Sequence, residues 1–194
     1  MSGSVAPGIL IAPPPLSDPN FDRTVVLMAL HDENGALGFV VNRLAPLGVG
    51  ELLVHAGFGE HMRRHAGPVF LGGPVQPSSG WVLARDPEPP AENTIAVGDN
   101  LRLSSSLEVL QALAEYLDLA PAGTLDPLRR MVFLGYSGWG PGQLESELAA
   151  GAWLPIPLDD EVIFDPEVDK KWERAYQRHG LSMVGSMMRG GGEA

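Results

Sequence analysis

The side chains best suited to proton transfer or metal binding lie in one loop of the sequence. His31 is followed directly by Asp32 and Glu33, so an imidazole and two carboxylates are adjacent. Such groups act as general acids, general bases and metal ligands. Adjacent residues of a tight turn seldom converge on one ion, however, and Asp32 is well suited to hydrogen-bond the turn itself. We therefore expect no metal and no cofactor, and we keep His31 with Asp18 or Asp32 as the acid–base pair of an alternative function, an enzyme of unknown class.

A second group of polar residues lies around the start of an apolar segment. Asp18 and Arg23 precede the apolar residues 24–30, and Asn42 ends the next apolar segment along the chain. If the two segments pair as an antiparallel hairpin, Arg23 and Asn42 come to the same end of it. The sequence predicts a pocket there, although a turn with a surface ion pair would account for the same residues without a ligand.

A glycine-rich segment, residues 135–142, contains Ser137 and Trp139 and precedes a predicted helix. Its spacing partly matches the turn that carries the nucleophile of serine hydrolases, but Trp139 stands where that turn needs a glycine. Free N–H groups before a helix can also bind anions, yet Pro141 removes one such donor. The favoured interpretation is a structural turn that lets a strand and a helix pack closely.

Charge and composition exclude several classes of function. The formal net charge of −11 repels phosphate backbones, so direct nucleic-acid binding is not expected. Arg63 and Arg64, between His61 and His65, form a dense basic cluster that is expected to be a solvated face. Salt-dependent DNA binding through these arginines is a third hypothesis. The chain has no cysteine, which agrees with a cytoplasmic location, and no apolar run of about 18 residues that would span a membrane.

Hydrophobic periodicity and turn residues predict the elements that position these groups. Residues 24–30 are apolar on both faces, which indicates a buried strand, and Asn34-Gly35 indicates a hairpin with residues 38–42. Further strands are predicted at residues 8–12, 68–71, 81–84, 130–134 and 161–164. Helices are predicted at residues 49–56, 107–117, 143–150 and 168–179, the second with Ser105 and Glu108 as its capping box.

Several motifs, in this order, resemble those of the YqgE/AlgH family. They are GILIAP at residues 8–13, LSDPNFDRTVVL at residues 16–27, HDENGALGFVVNR at residues 31–43, GGPV at residues 72–75, GYSGWGPGQLESEL at residues 135–148 and GAWL at residues 151–154. The resemblance runs from about residue 8 to residue 180.

The resemblance implies an α+β fold with a mixed, branched sheet, part of which closes into a small barrel, surrounded by helices. It implies no agreed activity. Members are often described as transcriptional regulators, but this chain has no helix-turn-helix pattern to support that role. The motif positions carried over from the resemblance are candidate binding residues without assigned roles: Asp18, Arg23, His31, Asn42, Gly73, Trp139, Gln143 and Glu145.

Together these observations predict one domain over residues 1–186 and a flexible glycine-rich tail over residues 187–194. The leading hypothesis is a noncatalytic binding or regulatory protein that influences transcription only indirectly. Its partner would be a small ligand or a protein, contacted by the polar strand ends and by the turn Gly138-Trp139-Gly140. This hypothesis predicts a pocket or an exposed apolar patch. The enzymatic alternative requires an imidazole and a carboxylate in a cleft, within about 3 Å of each other or of one shared water.

Overall fold

A computed structural model of the protein describes residues 3–14, 22–85, 94–120 and 124–181. Asp18, the predicted loop of residues 86–93 and the predicted tail of residues 187–194 lie outside the described residues. Within these ranges, no helix is both long enough and apolar enough to cross a membrane.

The described residues form a large sheet and five α-helices. The strands are β1 (Gly8–Ile11), β2 (Val25–Asp32), β3 (Gly35–Val40), β4 (Leu44–Gly48), β5 (Pro68–Leu71), β6 (Val75–Arg85), β7 (Thr94–Val97), β8 (Leu101–Ser104), β9 (Arg130–Trp139) and β10 (Leu154–Pro157). The helices are α1 (Val49–His55), α2 (Leu107–Leu119), α3 (Gln143–Ala149), α4 (Asp160–Ile163) and α5 (Lys171–Arg178), with 3₁₀ turns at Glu60–Arg64 and Val168–Lys170.

The sheet is branched at β9 and curls into a half-barrel. Its main path runs β10-β1-β2-β3-β9-β6-β8-β7, and β5 pairs with both β9 and β4. The pairing of β5 with β9 is parallel, whereas the other strand pairs are antiparallel. Because β4 follows β3 closely along the chain, β3, β9, β5 and β4 form a circuit. The predicted α+β class, with one domain and a branched sheet, is confirmed.

The hairpin of β2 and β3 has the predicted antiparallel register. Val26 pairs with Val40, and Asp32 pairs with Gly35 at the turn. Asp32 Oδ1 accepts a hydrogen bond of 2.7 Å from Asn34 N, which is the turn-stabilising role predicted for this carboxylate. The segment from Val25 to Ala29 is buried throughout, as expected of a strand that is apolar on both faces.

Two predictions that concern the starts of helices are wrong. Residues 161–164, predicted as a strand, belong to α4 and its end, because Asp159 caps this helix by accepting a hydrogen bond of 3.0 Å from Glu161 N. The N-cap of α2 is Ser106 rather than Ser105, since Ser106 Oγ accepts from Val109 N at 3.3 Å. In both cases an oxygen-bearing side chain decides where the helix begins.

The predicted glycine-rich turn of residues 135–142 is also wrong in its first half. The strand β9 continues through Gly135 to Trp139, and the turn is confined to the residues after it. A Cβ atom at Gly135 would lie 2.5 Å from Gly73 O, so a glycine is required where two backbones touch. The segment of residues 72–77, predicted as a loop, likewise becomes strand from Val75 onward.

Three clusters of buried side chains fill the two faces of the sheet. The first packs between the curled sheet and helices α4 and α5, and the second packs under α1 and α2. The third lies under α3 and contains Leu10, Met28, Trp139, Leu144 and Trp153. Each cluster combines alternate strand residues with one face of a helix, so all three belong to one globule.

Lys171 is buried in the first cluster and connects the end of the hairpin to α4. Its Nζ donates hydrogen bonds to Val41 O at 2.8 Å and to Ile163 O at 2.7 Å. The ammonium also lies 5.3 Å from the centre of the Phe70 ring. Burial lowers the pKa of Lys171 to about 7, against a smaller opposing effect of the Asp165 carboxylate.

This lowered pKa makes the stability of the fold depend on pH. The folded state releases the lysine proton near pH 7, whereas the unfolded chain holds it up to the ordinary pKa of 10.5. We expect the free energy of unfolding to rise with pH across this window by up to about 1.4 kcal/mol per pH unit. Urea unfolding of the wild type and of Lys171→Met measures the effect, and the variant is expected to lack the rise.

Lys170→Met is the matched control, because Lys170 is the neighbouring lysine and its side chain is 59% exposed. This variant is expected to retain the pH dependence of the wild type. The same pH dependence in all three proteins would show that the buried amine is not its source.

Candidate functional site

The described candidate residues lie in separate regions, distributed mainly between the two ends of the β2–β3 hairpin. His31 lies near the turn, together with Trp139, Gln143 and Glu145, whereas Arg23 and Asn42 lie at the open end. At about 3.3 Å per residue, an eight-residue strand such as β2 keeps its ends more than 20 Å apart. The open end of the hairpin, with Arg23 and Asn42, and the turn after Trp139 therefore do not share one cavity.

His31 has both ring nitrogens occupied. Its Nδ1 accepts a hydrogen bond of 3.1 Å from Val5 N, which requires the proton of the neutral ring to be on Nε2. Nε2 then donates to Glu145 Oε1 at 3.2 Å, and the imidazole side chain is only 4% exposed. The carboxylate partner of His31 is thus Glu145, not Asp32, which corrects that pairing of the enzymatic alternative. In this arrangement both ring nitrogens are bonded within the fold rather than open to a substrate.

The motif around Trp139 is organised by Glu147, a residue that the sequence reasoning missed. Glu147 Oε2 accepts from Trp139 Nε1 at 2.9 Å and from Trp153 Nε1 at 2.8 Å. Glu147 Oε1 accepts from Gln143 Nε2 at 3.0 Å. The four-residue spacing of Gln143 and Glu147 on a predicted helix was the available sequence signal. One carboxylate therefore connects both ends of α3 to β9 and to the segment before β10.

Burial raises the pKa of Glu147, but the hydrogen bonds donated by Gln143, Trp139 and Trp153 outweigh this effect and hold the pKa below its ordinary value. A carboxylate with a lowered pKa contributes stability above the ordinary carboxyl range and loses it as the pH falls. Glu147 is therefore ionised at neutral pH and serves as an acceptor, not as an acid.

Gln143 also closes the turn between β9 and α3. Its Oε1 accepts a hydrogen bond of 3.1 Å from Gly140 N, and Gly142 takes the left-handed conformation at the N-cap with φ 75°. Ser137 Oγ donates to Gly72 O at 3.0 Å, so its proton is held by a backbone carbonyl rather than by the general base that a hydrolase nucleophile needs. Gly73 has a packing role as well, because a Cβ atom there would lie 2.3 Å from Tyr136 C.

At the open end of the hairpin, Asn42 fixes the backbone that leads into β2. Asn42 Nδ2 donates to Arg23 O at 2.6 Å, and Asn42 Oδ1 accepts from Val25 N at 2.9 Å. Arg23 has a φ of 55°, in the left-handed region that favours glycine. Its guanidinium lies 5.6 Å from the centre of the Trp172 ring, and its side chain is 69% exposed. Asp22 contacts it at 3.9 Å.

The basic cluster of residues 61–65 is neutralised within the fold. Arg63 contacts Glu60 at 3.1 Å, and Arg64 contacts Asp118 of α2 at 2.6 Å. His65 Nε2 lies 2.9 Å from the same Asp118 carboxylate, and this hydrogen bond is the main cause that lowers the pKa of Asp118. With its charges paired in this way, the cluster offers little free positive charge to a phosphate backbone.

A small cavity lies beside Lys171, between β5 and the segment that connects α4 to α5. Its volume is about 30 Å³, and Phe70, Arg130, Phe164 and Asp165 are among its lining residues. This volume fits water rather than an organic ligand, whose pockets measure about 300–1,000 Å³. In the part of the chain that the structure describes, no three metal-ligating side chains form a group that could hold an ion.

The sequence of this chain is similar to those of a known protein family. The profile of the AlgH-like family matches residues 9–184. A UPF0301 protein of Anaeromyxobacter dehalogenans (strain 2CP-C) is 43% identical over 196 residues, covering 97% of this chain and 94% of the relative. A UPF0301 protein of Myxococcus xanthus (strain DK1622) is 42% identical over 179 residues, covering 92% of each chain. The family resemblance predicted from the motifs is confirmed.

Two solved structures are similar to this fold. The solution structure of the AlgH protein from Pseudomonas aeruginosa has a TM-score of 0.74 and 32% sequence identity, covering 100% of both chains. The crystal structure of a protein from Corynebacterium diphtheriae has a TM-score of 0.68 and 20% identity, covering 94% of this chain and 92% of that chain. The second similarity concerns the fold alone.

The hydrogen-bonding role of Glu147 leads to a stability prediction. Glu147→Ala removes the acceptor of two indole N–H groups and one amide, so we expect the free energy of unfolding to fall by about 2–4 kcal/mol. Chemical denaturation measures the change.

Glu115→Ala is the matched control, because Glu115 accepts from Gln111 with the same spacing on an exposed helix face. We expect the control to change the free energy by less than about 0.5 kcal/mol. Equal losses in the two variants would contradict the role of Glu147.

Proposed function

Since the chain belongs to the AlgH-like family and most of its described motif side chains are engaged within the fold, we propose that it is a noncatalytic binding protein whose ligand-contacting side chain is Arg23. The proposal is supported by His31 and Glu147, the candidate groups for acid–base chemistry, because both are already hydrogen-bonded within the fold. His31 uses both ring nitrogens internally, and Glu147 accepts hydrogen bonds from three side chains.

The observation that carries the proposal is the combination of backbone strain and exposure at Arg23. A left-handed conformation costs a non-glycine residue about 1–2 kcal/mol, and glycine would adopt it without that cost. Strain of this kind tends to be found at functional sites, where the side chain has a use that offsets the cost. Asn42 holds the strained backbone in place, and the Trp172 ring lies against the guanidinium. The arginine is thus positioned in advance but still exposed.

The chemistry of Arg23 indicates an anionic ligand group. A guanidinium binds carboxylates and phosphates through two parallel N–H donors. The net charge of −11 repels a dianion more strongly than a monoanion, which favours a carboxylate over a phosphate. The contact with Asp22 is 3.9 Å long and solvent-exposed, so displacing it costs little. We therefore propose a carboxylate, carried by a small ligand or by a protein partner.

Under this proposal, the protein would affect transcription only indirectly. Arg63 and Arg64 are paired with carboxylates, so an effect on transcription would pass through the bound partner rather than through contact with DNA. We propose the cytoplasm as the place of action, since a chain without cysteine needs no oxidising compartment.

Arg23→Gly separates binding from folding. We expect this variant to be at least as stable as the wild type, by up to about 1 kcal/mol, because glycine relieves the left-handed strain. The Arg23 Nε–H resonance of the wild type is followed by NMR during titration with sodium acetate at constant ionic strength. We expect a saturable shift of this resonance and of the Thr24 amide, and no saturable response of the Thr24 amide in Arg23→Gly.

Sodium chloride and sodium phosphate are the comparison titrations. A response to phosphate stronger than that to acetate would identify a phosphate site instead of a carboxylate site. A wild-type response to acetate no larger than that to chloride, or an unchanged Thr24 response in Arg23→Gly, would contradict the proposed contact.

A further inference from the structure

The first described residues of the chain bind to β2 near its hairpin end, at His31. We name residues 3–7 the N-terminal segment. Val5 N donates to His31 Nδ1 at 3.1 Å, and Ser4 Oγ donates to His31 O at 3.0 Å. The segment therefore contacts His31 through both its ring and its backbone.

We infer that His31 is a proton-operated latch, which holds the N-terminal segment when the ring is neutral and releases it when the ring is protonated. This inference concerns the opposite end of β2 from Arg23 and goes beyond the proposed function. It rests on the direction of the two hydrogen bonds of the ring. Nδ1 is an acceptor towards the segment, and Nε2 is a donor towards α3.

Protonation changes these two hydrogen bonds in opposite ways. An imidazolium carries a proton on each nitrogen, so its Nδ1–H would face Val5 N–H, and two donors cannot bond each other. An unpaired buried donor costs about 1–3 kcal/mol, which the segment avoids by moving away. The contact from Nε2 to the Glu145 carboxylate becomes an ion pair and strengthens. Acid is therefore expected to loosen the segment while the packing of α3 on β2 persists.

The charged groups near the ring lie on α3 and on the hairpin. Glu145 is the carboxylate in contact with the ring among the described residues, and it approaches from α3. On the hairpin itself, Asp32 bonds Asn34 N, and Glu33 is exposed. From β3, Ala36 pairs with His31 and brings no charge. The N-terminal segment contributes no titratable side chain among its described residues. Among the described residues, Glu145 therefore supplies the charge that faces the ring.

Release of the segment would uncover apolar surface. Val5 and Ala6 pack against the third core cluster, which includes Leu10, Trp139 and Trp153. Ser4 Oγ accepts from Ala6 N, and its hydroxyl proton can be donated to Ala6 O once the bond to His31 O is lost, so Ser4 keeps hydrogen-bond partners after release. The latch thus links pH to the exposure of the surface next to the two tryptophans.

Amide exchange tests this inference directly. We expect protection of the Val5 amide, corrected for intrinsic exchange, to fall at least tenfold between about pH 7.5 and about pH 5, where imidazole side chains titrate. The ¹⁵N shifts of the His31 ring are expected to change from the neutral Nε2–H form to the imidazolium over the same range. The amides of β2 residues Val26 and Leu27 should keep their protection, because the sheet is not involved.

Three variants separate the latch from general acid sensitivity. His31→Leu removes the acceptor, so the Val5 amide should be unprotected at every pH. Glu145→Gln keeps an oxygen near Nε2 but removes the negative charge, which should move the midpoint of release to lower pH. His61→Gln is the matched control, because His61 is 52% exposed and lies elsewhere on the surface, and it should release the segment as the wild type does.

Two results would overturn the latch. The first is constant Val5 protection in the wild type while the ring shifts show that His31 has become protonated. The second is that the Val5 amide of His31→Leu is protected at neutral pH and loses this protection with the same pH midpoint as the wild type. If His31→Leu does not fold, Glu145→Gln still tests the inference, because this variant keeps His31. The pH midpoint of its segment release must be lower than that of the wild type, and an equal midpoint would contradict the inference.

Discussion

Close backbone contact around β9 is the constraint on which the remaining structure depends. A Cβ atom at Gly72 would lie 2.4 Å from Gly135 O, and one at Gly73 would lie 2.3 Å from Tyr136 C. Because these positions have no side chain, the segment before β6 can lie directly on β9. The strand can then pair with β3, β5 and β6 and carry Trp139 to the face that α3 covers. The glycine motifs are therefore explained by packing, without a ligand.

The sequence predicted the elements whose pattern is long or whose turn chemistry is strong. The β2–β3 hairpin follows from Asn34-Gly35, and α2 follows from its helical periodicity. The four-residue strands β7, β8 and β10 were missed, because so few residues carry no reliable period and their pairing depends on distant partners. The equally short β1 and β5 were predicted from their continuous apolar runs. β10 also contains Pro155 and Pro157, which argue against a central strand but are tolerated at the edge of a sheet.

The candidate residues were found more readily than their partners. His31 was singled out by residue type, but its carboxylate partner lies 114 positions away and is brought close only when α3 packs on the sheet. Glu147 was missed because nothing in its neighbours shows that two indole N–H groups point at it. Sequence spacing identifies which side chains share a helix face, whereas the bonds of this site join separate elements. Side-chain chemistry was therefore predictable, and its geometry was not.

The two ends of β2 differ in a way that makes their proposed roles independent. Between them lies a buried strand, Val25 to Ala29, whose neighbours on both sides are paired strands. The ring of His31 bonds the N-terminal segment and α3, not the ladder, so a change in its protonation leaves the strand register intact. Sites more than about 7–10 Å apart without shared partners contribute additively. Protonation at the turn should therefore leave the carboxylate contact of Arg23 unchanged, and one strand can serve both roles.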